Sequence, residues 1–291
     1  MDTQSRPGPV SQTDEGLVPV RQRRADAARA NEILGEHTLE RGDTRYAAVK
    51  QYSLVEILAV WAAAAVPMAV LAWVVAPWLG DQLGGDAPLT KALLLCLTAG
   101  LIWQGVLVLL LVWRELGTLQ WARVRDALWL RAPRDPRTGR VGGRVWWWLL
   151  PFVVLLALEE LLPDFSAPIA RDFGEFLATD RGEAFFRDAW GWFAVVVVLA
   201  LFNTVLGEEL LFRGVLLPRM RGVFGRWDVV ANGVLFAVYH LHTPWVIPSA
   251  LVGIVSLAYP SRRFESAWMG IIVHSAQSVV VIAVVLAVVL G

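Results

Sequence analysis

Two glutamates, one arginine and three histidines lie in the strongly apolar last third of the chain. The first three belong to the segment Glu208-Glu209-Leu-Leu-Phe-Arg213, and three of the four histidines follow it. Ionisable groups are costly in apolar surroundings, so such a grouping indicates a functional site. A carboxylate and imidazoles together can activate water for hydrolysis or bind a divalent metal ion.

The spacing of the charged residues predicts different tasks for the two adjacent carboxylates. On a helix, Glu209 and Arg213 share a face, with the acid N-terminal to the base, which is the favourable order for an ion pair. Glu208 is rotated from Glu209 by about 100° and is left without that partner. We therefore expect Glu209 and Arg213 to form a buried ion pair and Glu208 to be available for proton transfer.

The sequence contexts of His240 and His274 suggest that both join Glu208. His240 follows Phe236 by four residues, so the aromatic ring can pack against the turn that carries the imidazole. His274 lies in the last apolar segment, with Ser278 one turn further on. His242 is only two residues from His240 and points elsewhere on a helix, so it receives no role.

Two schemes of hydrolysis fit these residue types. Glu208, His240 and His274 could bind a divalent metal such as zinc, as His₂Glu sites do. Without metal, Glu208 would deprotonate a water held by His240, while His274 and a neighbour stabilise the oxyanion. Either scheme would cleave an acyl bond, most plausibly a peptide. The sequence contains no His-Glu-x-x-His or Gly-x-Ser-x-Gly motif, and nothing in it indicates nucleic-acid binding.

The elements that must position these residues are membrane-spanning helices. Hydrophobic residues make up 56% of the chain and the mean hydropathy is +0.53, which excludes an ordinary soluble domain. Several apolar runs reach the roughly 20 residues that span a bilayer. We predict an all-α polytopic bundle with seven or eight spans, the seven lying near residues 54–79, 92–113, 145–162, 189–217, 228–243, 247–260 and 266–290.

The distribution of basic residues predicts the orientation and the domain organisation. Eight Lys and Arg residues precede the first span, and eight Arg residues lie between Arg114 and Arg144. We expect the protein to lie in the plasma membrane. The positive-inside rule then places its N-terminus in the cytoplasm. We divide the chain into three parts. Residues 1–52 form a disordered or polar-helical cytoplasmic tail, and residues 53–188 form an N-terminal set of spans with an Arg-rich loop (114–144) and an outer loop (163–188). Residues 189–291 form a catalytic core.

Helix lengths place the three candidate catalytic groups in one layer. Glu208, His240 and His274 lie about 12–18 Å from the cytoplasmic ends of their spans at 1.5 Å per residue. We expect a water-filled cavity open to the cytoplasm. The similar segment Glu159-Glu160-Leu-Leu has no arginine four residues on and is followed by Pro163, so we interpret it as a helix end at the outer interface.

The order Glu208-Glu209-x-x-x-Arg213, Phe236-x-x-x-His240 and His274 resembles the CPBP (Abi) family of intramembrane CAAX-processing and bacteriocin-processing endopeptidases. The resemblance covers about residues 190–280 and implies an all-helical membrane protease acting on a membrane-associated protein or peptide in contact with lipid. It implies that Glu208 activates the water, His240 positions it and His274 belongs to an oxyanion site. Ser278 stands where the family usually carries Asn or Asp.

Two other functions remain open at this point. A non-catalytic membrane scaffold or bacteriocin-immunity protein could keep the motif for packing, and a proton-coupled transporter could use Glu208 as a relay. The scaffold predicts that Glu208→Ala leaves the protein's role intact. The transporter ranks lower because no inverted repeat is visible.

Overall fold

Four long apolar helices form the frame of the bundle in a computed structural model that describes residues 49–161 and 167–291. Residues 1–48 of the predicted tail lie outside the described residues. Residues 49–291 form one compact unit. In the described part, the main helices follow in the order α1 Leu54–Leu83, α2 Pro88–Leu116, α3 Trp121–Ala127, α4 Gly143–Ala157, α5 Phe173–Leu177, α6 Asp180–Phe186, α7 Trp190–Arg219, α8 Asp228–Tyr239, α9 Pro244–Ala250, α10 Ile254–Arg263 and α11 Ala267–Leu290, with short helical turns at Leu158–Leu161, Arg221–Phe224 and Gly225–Trp227.

The prediction of an all-α fold is confirmed, but the prediction of seven or eight spans is not. Four helices (α1, α2, α7 and α11) are long and apolar enough to cross a membrane, or five spans result if α9 and α10 count as one. The difference has a physical cause, since α8 has only 12 residues and α4 is also short for a 30 Å apolar layer. The α9–α10 pair is bent by 52°.

Local sequence signals explain where the first two helices begin and end. Ser53 caps α1, because its hydroxyl accepts from the Glu56 amide at 3.2 Å while Glu56 accepts from the Ser53 amide at 2.8 Å. Gly84 and Gly85 then adopt positive φ angles of 57° and 67°, which glycine tolerates without strain. These glycines turn the chain into α2, so that α1 and α2 form an antiparallel hairpin.

Backbone contacts define two ends of the bundle. The Tyr52 amide donates to the Arg219 carbonyl at 3.0 Å, and the Ala267 amide donates to the Trp129 carbonyl at 2.9 Å. We call this the Arg-rich end, because it carries the predicted Arg-rich segment 114–144. At the opposite end, the Asp188 amide donates to the Val289 carbonyl at 3.1 Å.

The predicted outer loop is partly helical and packs into the bundle. Helices α5 and α6 bury Phe176, Leu177 and Phe186 against residues of α2, α7 and α11. The rings of Phe173 and Phe186 meet edge to face with centroids 5.8 Å apart. The segment therefore forms part of the bundle wall at the opposite end.

Helix α7 departs from regular α geometry on both sides of the glutamate pair. Phe202–Gly207 and Leu210–Leu216 are π-helical, and Glu208 and Glu209 lie between them. Wide turns of this kind are rare in proteins, but those that occur often lie at functional sites. They change which side chains share a face of α7, which the regular 3.6-residue period cannot anticipate.

Candidate active site

The predicted ion pair of Glu209 and Arg213 is present and anchors the centre of the bundle. Glu209 Oε1 lies 3.2 Å from Arg213 Nη1, and both side chains are fully buried. His274 Nδ1 donates to the same carboxylate oxygen at 3.1 Å. The Arg213 guanidinium also stacks over the Phe236 ring, 4.1 Å from its centroid. The Glu209 carboxylate thereby ties α7 to α11.

Gly270 allows α11 to approach this ion pair. A Cβ at position 270 would lie 2.5 Å from Glu209 Oε2, 2.8 Å from Ser261 Oγ and 3.2 Å from Arg213 Cγ. The Gly270 amide donates to Ser261 Oγ at 3.0 Å, so the backbone itself fills the space. The close contact of α11 with α7 thus depends on the missing side chain.

Glu208 is buried with neutral hydrogen-bond partners. Its residue is 2% exposed. With the amide nitrogen turned to the carboxylate, Asn203 donates to Glu208 Oε1 at 2.9 Å and lies 3.3 Å from Oε2. The Tyr239 hydroxyl is hydrogen-bonded to the same carboxyl group and accepts from Gln104 Nε2 at 2.6 Å. Among the ion pairs of the described residues, none includes Glu208.

His240 is held at the point where α8 ends. The indoles of Trp61 and Trp73 on α1 donate to the carbonyls of Leu235 and Leu241, at 2.8 and 2.9 Å, and thereby fix this helix end. His240 Nδ1 lies 2.9 Å from the carbonyl oxygen of Phe236. Because a carbonyl only accepts, Nδ1 carries the proton, and Nε2 of the neutral ring has a free lone pair.

The imidazole of His274 is oriented in a similar way by a different acceptor. Its Nδ1 faces the ionised, arginine-paired Glu209, so the proton again lies on Nδ1. The Phe236 ring packs edge-on against both imidazoles, with centroids 5.0 Å from His240 and 6.0 Å from His274. The two Nε2 atoms are therefore the ring positions left for chemistry.

One cavity of about 530 Å³ joins the three candidate catalytic residues, Glu208, His240 and His274. The unassigned His242 lines it as well, stacked on His240 with an interplanar angle of 26°. The remaining walls include residues of the α4 end, segment 167–175 and α9. The structure therefore brings residues from distant parts of the chain to one space.

The cavity extends towards the opposite end of the bundle. Asp172 and Glu175 belong to its lining, and Trp245 Nε1 donates to Asp172 Oδ2 at 2.8 Å across it. Both acids lie in the segment attached to the opposite end. The expectation of a cavity open to the cytoplasm stays a prediction, because the structure contains no membrane that would define the two sides. Helix lengths give the depth of Glu208, but they do not tell on which side the packing leaves space.

Ser278 is not on this cavity. It lines a neighbouring cavity of about 210 Å³, whereas the adjacent Gln277 lines both cavities. Consecutive side chains on a helix diverge by about 100°, and the rotation of α11 turns Gln277 to the catalytic side. Asn203 also borders both spaces. The amides on the catalytic cavity are thus Asn203 and Gln277.

Sequence reasoning missed Asn203, Tyr239 and Glu159. Asn203 lies five residues before Glu208, a spacing that only a π turn brings to one face. Tyr239 is the neighbour of His240 and could have been noticed as a polar group in an apolar segment. Glu159 lines the catalytic cavity near the end of the three-ten turn Leu158–Leu161, so its interpretation as a mere helix end was incomplete.

The predicted metal ligands do not fit a metal centre. Among residues 49–161 and 167–291, no group of three His, Cys, Asp or Glu side chains is placed to hold a metal ion. The carboxyl group of Glu208 is already engaged by Asn203 and Tyr239. We therefore derive no step through a metal.

Comparison with known proteins identifies this region. Residues 190–280 match the family model described as Type II CAAX prenyl endopeptidase Rce1-like. The match contains the motif residues from Glu208 to His274 and agrees with the family resemblance of the sequence. It supports a CAAX-type membrane protease family and, with the apolar helices, a multi-pass membrane protein. No curated protein and no solved structure gives a significant match to the chain.

Proposed function

We propose, on the premise that residues 190–280 form an Rce1-like domain, that this protein is an intramembrane endopeptidase. It would hydrolyse a peptide bond in a membrane-associated protein or peptide, such as a CAAX-like C-terminus or a peptide precursor. The observation that carries the proposal is the environment of Glu208. A buried carboxylate that forms no ion pair within residues 49–161 and 167–291 borders a cavity that His240 also lines.

The first step assigned to these residues is activation of water. His240 Nε2 accepts a hydrogen bond from a water in the cavity and holds it, while Glu208 removes its other proton. The resulting hydroxide attacks the carbonyl carbon of the substrate, and the carbonyl oxygen takes the electron pair as an oxyanion. Glu208, now protonated, returns its proton to the leaving amine as the carbon–nitrogen bond breaks.

His274 serves the oxyanion in this scheme. Since Nδ1 already donates to Glu209, the ring can donate through Nε2 only in its doubly protonated form. The positive charge of that form faces the Glu209 carboxylate at 3.1 Å. A fixed donor in a water-poor site is worth more than one in water, because it needs no reorganisation during the reaction. The ion pair of Glu209 and Arg213 thus also orients His274.

The scheme makes the enzyme glutamate-dependent and gives no role to a metal. Ser278 supplies no oxyanion donor here, because it borders the neighbouring cavity, and Gln277 is the amide of α11 that faces the reaction. We place the protein in the plasma membrane with the N-terminus in the cytoplasm, on the strength of the Arg-rich segment 114–144. Membrane lipid then surrounds the exposed apolar faces of α1, α2, α7 and α11.

Mapping cleavage products in membranes tests the proposal. Membranes containing the wild-type protein or Glu208→Gln are compared by mass spectrometry of new peptide termini. We expect a product that disappears with Glu208→Gln although the variant accumulates and melts like the wild type. Glu115→Gln, the same change at the Arg219 ion pair outside the cavity, is the matched control and keeps the product. Identical product sets for wild type and Glu208→Gln would contradict the proposal.

Metal removal tests the glutamate-dependent form. The purified protein is treated with a strong chelator, and its metal content is measured by atomic emission. We expect unchanged cleavage. We also expect a metal content of roughly 0.1 per protein molecule or less, which is the level of a contaminant. Loss of cleavage that returns with added zinc would reverse this assignment.

A further inference from the structure

Glu208 must stay satisfied in two protonation states if the proposed function is correct. As a carboxylate it needs hydrogen-bond donors, and as a carboxylic acid it offers a proton of its own. A buried polar group left without a partner is destabilised, so a protonation state of Glu208 without a partner would be disfavoured and the proton transfer slowed. Glu209 differs from Glu208, because its carboxylate is paired with the guanidinium of Arg213.

The side chains that touch Glu208 are neutral and can both donate and accept. The Asn203 amide presents a nitrogen to the carboxylate, and rotation of the same amide presents its oxygen. The Tyr239 hydroxyl has the same versatility, although the bond that it accepts from Gln104 directs its proton towards Glu208. A lysine or arginine in either place could serve only the carboxylate.

The π turn in α7 creates the contact between Asn203 and Glu208. On a regular α-helix, residues five apart point about 140° away from each other. In the π turn Phe202–Gly207 the repeat is i to i+5, so both side chains come to one face. Gly207 makes this turn feasible against α2, since a Cβ there would lie 2.6 Å from the Phe202 carbonyl and 3.0 Å from that of Leu101.

We propose that Asn203 is a positioning residue for Glu208, whose amide holds the carboxyl group towards the cavity in both of its protonation states. The inference rests on the proposed function, because it concerns the same proton transfer. Asn203 is half-buried and lies at the border of the catalytic cavity, so it reaches Glu208 without closing the space for a substrate.

Three substitutions at position 203 separate positioning from packing. The rate is measured in proteoliposomes on a peptide that contains the cleavage site lost with Glu208→Gln. Asn203→Ala should lower kcat about 10- to 100-fold, the size of one hydrogen bond to a charged group, with KM within about twofold. Asn203→Asp keeps the shape but places two carboxyls together, so it should lose at least as much. Asn203→Gln keeps the amide and should regain part of the rate lost in Asn203→Ala.

A packing role predicts the reverse order, with Asn203→Asp close to wild type and Asn203→Gln worst, and this result would overturn the inference. Asn232→Ala is the matched control, since that buried asparagine donates to the Phe212 carbonyl at 2.9 Å and does not line the cavity. It should lower the melting temperature and leave kcat unchanged. If Glu208→Gln is inactive but Asn203→Ala and Asn203→Asp keep wild-type kcat, only the inference falls; if Glu208→Gln removes no product, the proposed function falls with it.

Discussion

The two faces of α7 at Glu208 and Glu209 hold the same side chain in opposite surroundings. On the ion-pair face, Glu209 meets the charged Arg213 and the Nδ1–H of His274, and no solvent reaches it. On the cavity face, Glu208 meets the neutral partners Asn203 and Tyr239 beside an open space of about 530 Å³. Both carboxylates are buried, so the difference between them lies in their charged or neutral partners and not in burial alone.

The largest effect is expected on the ion-pair face. Glu209→Ala leaves the fully buried Arg213 guanidinium without its carboxylate, which costs about 3–5 kcal/mol when one partner of a buried pair is removed. We expect little folded protein in detergent, measured by thermal unfolding and size-exclusion chromatography. A Glu209→Ala variant that melts like the wild type would remove the distinction between the two faces.

The next effect is expected on the cavity face, in the rate instead of the stability. Glu208→Gln keeps the size of the side chain and a carbonyl oxygen for its donors, so unfolding should change by about 1 kcal/mol or less. The rate of cleavage should fall by about 10²–10⁴, the usual contribution of a general base. Thermal melting and product formation are measured on the same preparation. A melting loss as large as that of Glu209→Ala would assign Glu208 to structure.

A smaller loss of stability is expected where α11 crosses the ion-pair face. Gly270→Ala introduces a methyl group 2.5 Å from Glu209 Oε2 and must push α11 away. Overpacking of this kind costs about 1–3 kcal/mol. The melting temperature should fall, and cleavage should fall with it because His274 moves away from Glu209. Unchanged values for both would mean that α11 adjusts without cost.

The smallest effect is expected at a second buried arginine, Arg219. It tests whether a buried arginine with further acceptors depends less on its carboxylate partner than Arg213 does. Arg219 bonds Glu115 at 2.8 Å, but its Nη1 also donates to the carbonyls of Ala127, Gly214 and Val215. Glu115→Gln therefore leaves the guanidinium with acceptors and should cost only about 1 kcal/mol. A loss equal to that of Glu209→Ala would show that backbone carbonyls do not replace the carboxylate.

The sequence predicted which ionisable side chains lie together, namely Glu209 with Arg213 and Glu208 with His240 and His274, but its number of spans is not confirmed. The i,i+4 spacing of Glu209 and Arg213 predicted their contact, because residues four apart lie on the same face of a helix and can form an ion pair. Hydropathy identified the four long helices. The further spans predicted at 145–162 and 228–243 are not confirmed, because α4 and α8 are short. The span predicted at 247–260 corresponds to the bent pair of α9 and α10, which is a candidate span if the two helices are taken together.

The two Glu-Glu-Leu-Leu segments illustrate the limit of local patterns. The segment from Glu208 is followed by an arginine and lies inside a long helix, and the segment from Glu159 ends a short one. The absence of the arginine correctly indicated that the segment from Glu159 does not repeat the pair of Glu209 and Arg213. It did not predict that Glu159 lines the same cavity as Glu208, because that depends on how α4 packs against α11 and α10.

Composition and spacing along one chain predict the helical class, the contact of Glu209 with Arg213 and the candidate set of Glu208, His240 and His274. Only the tertiary structure decided that Asn203 and Tyr239 surround Glu208, that Gln277 and not Ser278 borders the cavity, and that the cavity extends towards the opposite end. These features arise from π turns and helix rotations. Both are set by the packing of side chains from distant segments, which no local spacing records.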